Sequence, residues 1–196
     1  MNGVTAVNLV SVGGQGIILA AALLSRAALE DGHDVKASEV KGMAQRGGSV
    51  VSTVRFGARV YSPLTRHADV VIAAELLEGR RAFEVLVPRG TMVCATTRLA
   101  PESVLRGEQT YPDDIEIESR RRGARLLLVD AEELARAAGT ARAANVALLG
   151  AASAVLPFAA DAWATALAEV LPATILAANV AAFALGREAV PAPAPS

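Results

Sequence analysis

Residues 4–16 read Val-Thr-Ala-Val-Asn-Leu-Val-Ser-Val-Gly-Gly-Gln-Gly. The first nine form an apolar, β-branched run of the kind found in a strand buried on both faces, which is a parallel-sheet signal. Gly13 and Gly14 stop the run. Residues 16–30 follow as a series of helix formers that ends at Asp31-Gly32. A buried strand passing through a glycine turn into a helix is the opening of a βαβ unit.

The same alternation continues outward from this stretch. Residues 34–40 predict a second strand, 49–56 a third in which valine alternates with polar residues, and 69–74 a fully apolar fourth. Residues 91–95 and 125–129 predict two more. Residues 75–87 carry helical spacing at Leu76, Leu77, Phe83 and Leu86, and Pro88-Arg89-Gly90 reads as a turn. Residues 41–48 lack periodicity and read as a loop, whereas Arg59-Val60-Tyr61 reads as a short strand returning antiparallel to 49–56. Residues 96–112 look irregular. Beyond Asp130, an N-cap candidate, only helices are expected, over 130–138, 141–156, 161–171 and 173–186. The expected fold is α/β: a Rossmann-like, mostly parallel sheet with an edge hairpin and a C-terminal all-helical segment. That segment would cover one face of the sheet or present a partner surface. Residues 1–187 read as a single domain and 188–196 as a disordered Pro/Ala tail.

Composition narrows the function classes. The chain has 196 residues, 53% of them apolar and 20% charged, enough to bury a sizeable core. A net charge of −1 points away from nucleic acid. The 17 arginines against 2 lysines, beside 42 alanines, read as codon bias. Cys94 is the single cysteine, so this chain alone can form no internal disulfide and hold no iron–sulfur cluster. With His33 and His67 as the histidines, a structural zinc site is not expected. No charged n-region precedes an apolar h-region, so we expect no secretory signal and a reducing, cytoplasmic setting. Residues 143–160 and 170–186 carry no charge, but they are Ala-rich, broken by Pro157 and Pro172, and unflanked by basic clusters. They read as buried or interface helices rather than membrane spans.

Two segments offer chemistry. Ser11-Val12-Gly13-Gly14-Gln15-Gly16 lies between strand and helix, where unpaired N–H groups and the helix dipole favour an anion. Against G-x-G-x-x-G, Ser11 replaces the first glycine while Gly13 and Gly16 are in place, and the acidic partner about 20 residues on would be Glu39. The alternative is a tight turn without a ligand. The second segment, Glu39-Val40-Lys41-Gly42-Met43-Ala44-Gln45-Arg46-Gly47-Gly48, sets a carboxylate, Gln45 and Arg46 among glycines. Arg46 can grip a phosphate or carboxylate through two hydrogen bonds; a solvated charged turn is the alternative. Glu75 falls where strand 69–74 ends, as a site residue or as a carboxylate on a helix start. Cys94 reads as an inert buried thiol, His67 as locally hydrogen-bonded, and Glu116, Glu118 and Arg120–Arg122 as a solvated helix face. There is no G-x-x-x-x-G-K-[ST], H-E-x-x-H or G-x-S-x-G, and no residue is nominated as catalytic.

These residues carry a resemblance. Gly13-Gly14-Gln15-Gly16-Ile17 after a strand resembles the start of the gamma subunit or domain of 2-oxoacid:ferredoxin oxidoreductases. The run from Glu39 through Gly48 to Ser49-Val50 is similar to one branch, the beta subunit of indolepyruvate:ferredoxin oxidoreductase. So are Arg55-Phe56-Gly57, Ser62-Pro63-Leu64, Ala68-Asp69-Val70, and Glu75-Leu76-Leu77-Glu78 with Arg81. Tyr111-Pro112, Asp130-Ala131, Asn145 through Gly150, and Asn179 with Ala182-Phe183 and Gly186 continue it. Ser11 departs from the usual glycine, and Lys41 stands where a histidine is expected.

The resemblance implies a complete enzyme that oxidatively decarboxylates an aryl pyruvate with coenzyme A, giving an acyl-CoA, carbon dioxide and reduced ferredoxin. It implies a partner alpha subunit carrying thiamine diphosphate and the iron–sulfur clusters. This chain would complete the active site and help hold coenzyme A, inactive alone. It would associate with that partner, or with itself as a homodimer. Gly13, Gly14, Gln15, Gly16, Glu39, Gln45, Arg46, Gly47, Gly48 and Glu75 are the candidate site residues. A free-standing Rossmann-type nucleotide-binding protein and a pure assembly subunit are the competing readings.

Overall fold

The computed structural model describes residues 3–41 and 48–190. Strand β1 (Thr5–Val12) leads through the glycine turn into helix α1 (Ile17–Glu30), then β2 (Asp34–Lys41) and β3 (Ser49–Gly57). Next come β4 (Ala68–Ala73), α2 (Leu76–Ala82), β5 (Leu86–Ala95), the single turn α3 (Glu102–Leu105), α4 (Ile115–Arg122) and β6 (Arg125–Val129). The chain ends in α5 (Ala131–Ala137), a 3₁₀ turn (Ala141–Ala143), α6 (Ala144–Ser153), α7 (Ala160–Val170) and α8 (Ala173–Glu188). The strands form one sheet in the order β2-β3-β1-β4-β5-β6. Pairing is parallel from β1 through β4 and β5 to β6, and antiparallel on both sides of β3. The expected α/β sheet with an edge hairpin is present, and the hairpin is β2–β3.

Several expectations change in detail. The 59–61 segment is not a strand. Its Val60 N–H donates to Asp34 Oδ2 at 2.8 Å, which holds the Asp34 carboxyl below its usual range. The return partner of β3 is β2, so β3 lies between β2 and β1 rather than at the edge. Helix 75–87 ends at Ala82, and Pro88-Arg89-Gly90 lies inside β5 as an irregularity, with Arg89 at φ 62°. The β4–β5 register shifts there. The helix α8 continues to Glu188 and Val190 is buried, so the folded chain runs past 187. Residues 191–196 lie outside the described residues.

Two cores flank the sheet. On one face Leu9, Ile72 and Val93 pack against α1 and the C-terminal helices, including Val146, Leu148, Leu149 and Trp163. This explains the charge-free 143–160 stretch: every residue of α6 from Asn145 to Ser153 is buried, and a helix enclosed on all sides must be apolar all round. Helix α8 packs on α6 and leaves Ile175 and Val180 exposed. Among the described residues, no helix is long and apolar enough to cross a membrane. On the other face Val71, Met92 and Cys94 pack against Leu76 and Phe83 of the α2 segment and Ile115 of α4.

Arginine–carboxylate pairs join α2 to α4, where the sequence suggested a solvated face. Arg80 donates to both oxygens of Asp114, at 2.8 and 3.0 Å. Glu118 is buried rather than solvated, because Arg121 and Arg122 of its own helix close over it. Hydrogen bonding from Arg80 holds the Asp114 carboxyl below its ordinary 3.8. Arg122 chiefly does the same for Glu118 against 4.5. A depressed carboxyl contributes stability above its unfolded value and loses it as pH falls through the folded one. Thermal midpoints are therefore expected to fall as pH drops below 4.5. Arg80→Ala should flatten that fall by removing part of its source. A midpoint insensitive to acid down to pH 3 would contradict this assignment.

Candidate functional site

The chain leaves β1 toward the β2–β3 side of the sheet and later proceeds from β4 toward β5 and β6. The direction of winding thus reverses between β1 and β4. In open α/β sheets ligands bind outside the carboxyl ends of the strands at such a point. The 13–16 turn sits there. Gly14 and Gly16 take φ of 99° and 72°, conformations that L side chains avoid. Gly13, Gly14, Gly16 and Ile18 are exposed. Among the described residues nothing accepts from the N–H groups of Gly16, Ile17 and Ile18, which stand at the start of a 14-residue helix. That end can receive an anion.

Side chains from three elements set the turn. Gln15 Oε1 accepts from the Val12 N–H, and Gln15 Nε2 donates to the Ala74 carbonyl, both at 2.9 Å. It thereby ties the ends of β1 and β4 together across the crevice. Asn145, at the start of α6, donates from Nδ2 to the Gly16 carbonyl at 2.9 Å. Thr97 beyond β5 donates to Glu132 Oε1 of α5 at 3.1 Å. These four line a pocket of about 120 Å³ floored by Ala74, Ala95 and Leu148. Sequence reasoning named Gln15 as a ligand candidate and did not nominate Asn145, Thr97 or Glu132. A lone asparagine in an uncharged helix was the available signal, because a buried amide needs a partner.

The second candidate segment reaches the first at one point. β2 runs in the same direction as β1 and so ends at the same carboxyl edge, and Gly48 O accepts from the Gly13 N–H at 3.0 Å. Ser49 donates to the buried Glu78 at 2.6 Å, which also accepts from Arg81 at 2.7 Å. Gln45, Arg46 and Gly47 lie outside the described residues. Glu39 does not take the ribose-binding place that a dinucleotide fingerprint assigns it. It pairs with Ser52, itself opposite Leu9 in mid-β1. With β3 between, and strands about 4.8 Å apart, it stands about 10 Å from β1.

Glu75 is fully buried and turned into the fold. Its Oε2 caps α2 by accepting from the Glu78 N–H at 2.8 Å. Its Oε1 accepts from the Leu99 N–H at 3.1 Å and from the Tyr111 hydroxyl. Burial, then the Glu75 carboxylate, push the Tyr111 hydroxyl pKa upward. Of the two sequence readings, the helix-start carboxylate matches this geometry. Cys94 is buried, and burial with nearby Glu75 pushes its thiol up to about 12. A cluster takes several thiolates, so the donors of this chain do not fit one.

Comparison with known proteins accords with this arrangement. Residues 6–189 match the family model described as pyruvate ferredoxin/flavodoxin oxidoreductase. The indolepyruvate oxidoreductase subunit IorB of Thermococcus kodakarensis is 37% identical over 91% of this chain and 92% of its own. The gamma subunit of a keto/oxoacid ferredoxin oxidoreductase from Geobacter sulfurreducens has a similar structure. It has a TM-score of 0.72 and 22% identity, over 94% of this chain and 97% of that one. A 2-oxoglutarate:ferredoxin oxidoreductase from Magnetococcus marinus, solved with 2-oxoglutarate, coenzyme A and succinyl-CoA, contains a similar fold. There the TM-score is 0.74 at 18% identity, and 95% of this chain matches 31% of that one. With the gamma-subunit fold, the reversal-point turn and a family match along nearly its whole length, the chain belongs to the pyruvate ferredoxin/flavodoxin oxidoreductase family.

Proposed function

We propose that this chain is the cluster-free subunit of a 2-oxoacid:ferredoxin oxidoreductase acting on aryl pyruvates of the indolepyruvate type. In this reading it completes the active site and helps hold coenzyme A. A partner alpha subunit supplies thiamine diphosphate and the iron–sulfur clusters that pass electrons to ferredoxin, in the cytoplasm. The 2-oxoacid loses carbon dioxide, its acyl group joins the coenzyme A sulfur as the thiol gives up its proton, and the two electrons released go to ferredoxin. The observation that carries the coenzyme A assignment is the exposed glycine turn at the reversal point, where the Gly16, Ile17 and Ile18 N–H groups have no acceptor among the described residues. Coenzyme A brings several phosphate charges, and such a turn stabilises them. The likeness to the indolepyruvate oxidoreductase subunit supports the substrate class.

Arg46, in the loop that returns to Gly13 through Gly48, is the proposed side-chain partner of a phosphate. Arg46→Ala should raise the apparent coenzyme A constant of the reconstituted complex by roughly ten- to hundredfold, since a charge-assisted contact contributes about 1.5–3 kcal/mol. Arg46→Lys should recover part of the loss, because a point charge does not reproduce the guanidinium fork. Steady-state kinetics with each variant decide. An unchanged coenzyme A constant with weakened complex assembly would make the loop a subunit contact instead.

A further inference from the structure

We propose that Asn145 is a positioning residue for the anion-accepting turn, acting from the helical layer across the sheet's carboxyl edge. The inference rests on the coenzyme A reading above and deepens it. Asn145 is more than nine-tenths buried, and the one hydrogen bond of its side chain among the described residues goes from Nδ2 to the Gly16 carbonyl. That carbonyl already accepts from the Leu19 and Ala20 N–H groups at 3.1 and 3.2 Å. The asparagine is therefore not needed to satisfy it; what the bond adds is orientation. The bond fixes the peptide plane that joins the Gly16 carbonyl to the Ile17 N–H, and with it the first turn of α1.

The fit is close. A Cβ on Gly16 would lie 2.6 Å from Asn145 Nδ2, so the amide occupies the space that the missing side chain leaves. The donor end faces Gly16. The acceptor end, Oδ1, has no partner among the described residues, and Asn145 lines a pocket together with Gln15. Gln15 fixes the other flank of the turn through β1 and β4. The turn is thus held from both sides by uncharged amides, and the Glu132 carboxylate that lines the same pocket accepts from Thr97 and Arg136.

The test uses the complex reconstituted with its partner subunit and coenzyme A as the probe. Asn145→Asp keeps the shape but replaces the donor with a carboxylate against a carbonyl and a helix start. Asn145→Ala removes both. A purely structural residue would lower the thermal midpoint in both variants and leave the coenzyme A constant unchanged. The positioning role predicts a change at the ligand. The coenzyme A KM should rise about fivefold in Asn145→Ala and about twentyfold in Asn145→Asp, with kcat at saturating coenzyme A nearly unchanged in both. Hydrogen exchange supplies a readout apart from turnover. Coenzyme A should protect the amides of residues 14–18 in the wild-type complex and protect them less in both variants. Wild-type protection that persists undiminished in the variants would overturn the role of Asn145 alone. Absence of protection in the wild type would overturn the coenzyme A reading and this inference with it. Lower thermal midpoints with an unchanged coenzyme A KM would also overturn it.

Discussion

Gly186→Ala and Gly150→Ala will each lower the thermal midpoint of the chain by about 4–8 °C. The two glycines sit where α6 and α8 cross. A Cβ on Gly150 would come within 2.0 Å of the Phe183 carbonyl oxygen, and one on Gly186 within 1.8 Å of the Ala147 oxygen. Both obstacles are backbone atoms, so no rotamer change relieves them and one helix must move off the other. Overpacking of a core costs about 1–3 kcal/mol, and the upper end applies where a whole helix is displaced. Alanine gains about 1 kcal/mol of helix propensity over glycine, which offsets only part. For a chain of this size each kcal/mol shifts the midpoint by about 2–4 °C. The double variant should lose less than the sum, because the first substitution already separates the helices. Thermal unfolding followed by circular dichroism checks this; unchanged midpoints would contradict the crossing.

Glu75→Ala will cost about 3–5 kcal/mol. It removes an N-cap, worth about 1 kcal/mol. It also leaves the part-buried Leu99 N–H and Tyr111 hydroxyl without their acceptor, at about 1–2 kcal/mol each. Glu75→Gln should cost less, about 1–2 kcal/mol, because its oxygen can still accept from two of the three donors while its NH₂ faces the third. Tyr111→Phe should resemble Glu75→Gln, since it removes one donor to Glu75 and one acceptor from the Leu77 N–H. Urea titrations report the order as shifts of the midpoint at constant slope. If Glu75→Ala is as stable as the wild type, the cap reading is wrong and Glu75 returns as a candidate ligand.

The comparison between sequence and structure is sharpest at Glu39 and Asn145. Glu39 was legible as an acid at the end of the second predicted strand, the distance along the chain that a dinucleotide fingerprint uses. Chain distance does not reveal that β3 inserts between β2 and β1. Asn145 had the reverse history. Its partner is 129 residues away, and no local pattern records a contact of that range. Gln15 was legible as part of the turn, but its role as a tie to Ala74 depends on β1 and β4 being neighbours.

The features legible in the chain are those encoded within a few residues of each position. Apolar runs such as Val70–Ala74 marked buried strands, the glycines at 13–16 marked the turn, and Asp130 marked a cap that indeed accepts from the Glu133 N–H at 3.0 Å. The absence of charge in 143–160 marked burial, and one cysteine excluded a cluster. These signals are local because side-chain period, capping and backbone freedom are local. Only the tertiary structure decided the order of the strands, the burial of Glu118 under its arginines and the inward turn of Glu75. It alone set the glycine crossing of α6 and α8. Each depends on which distant surface covers a residue, and solvation and hydrogen-bond partners exist only once that surface is in place.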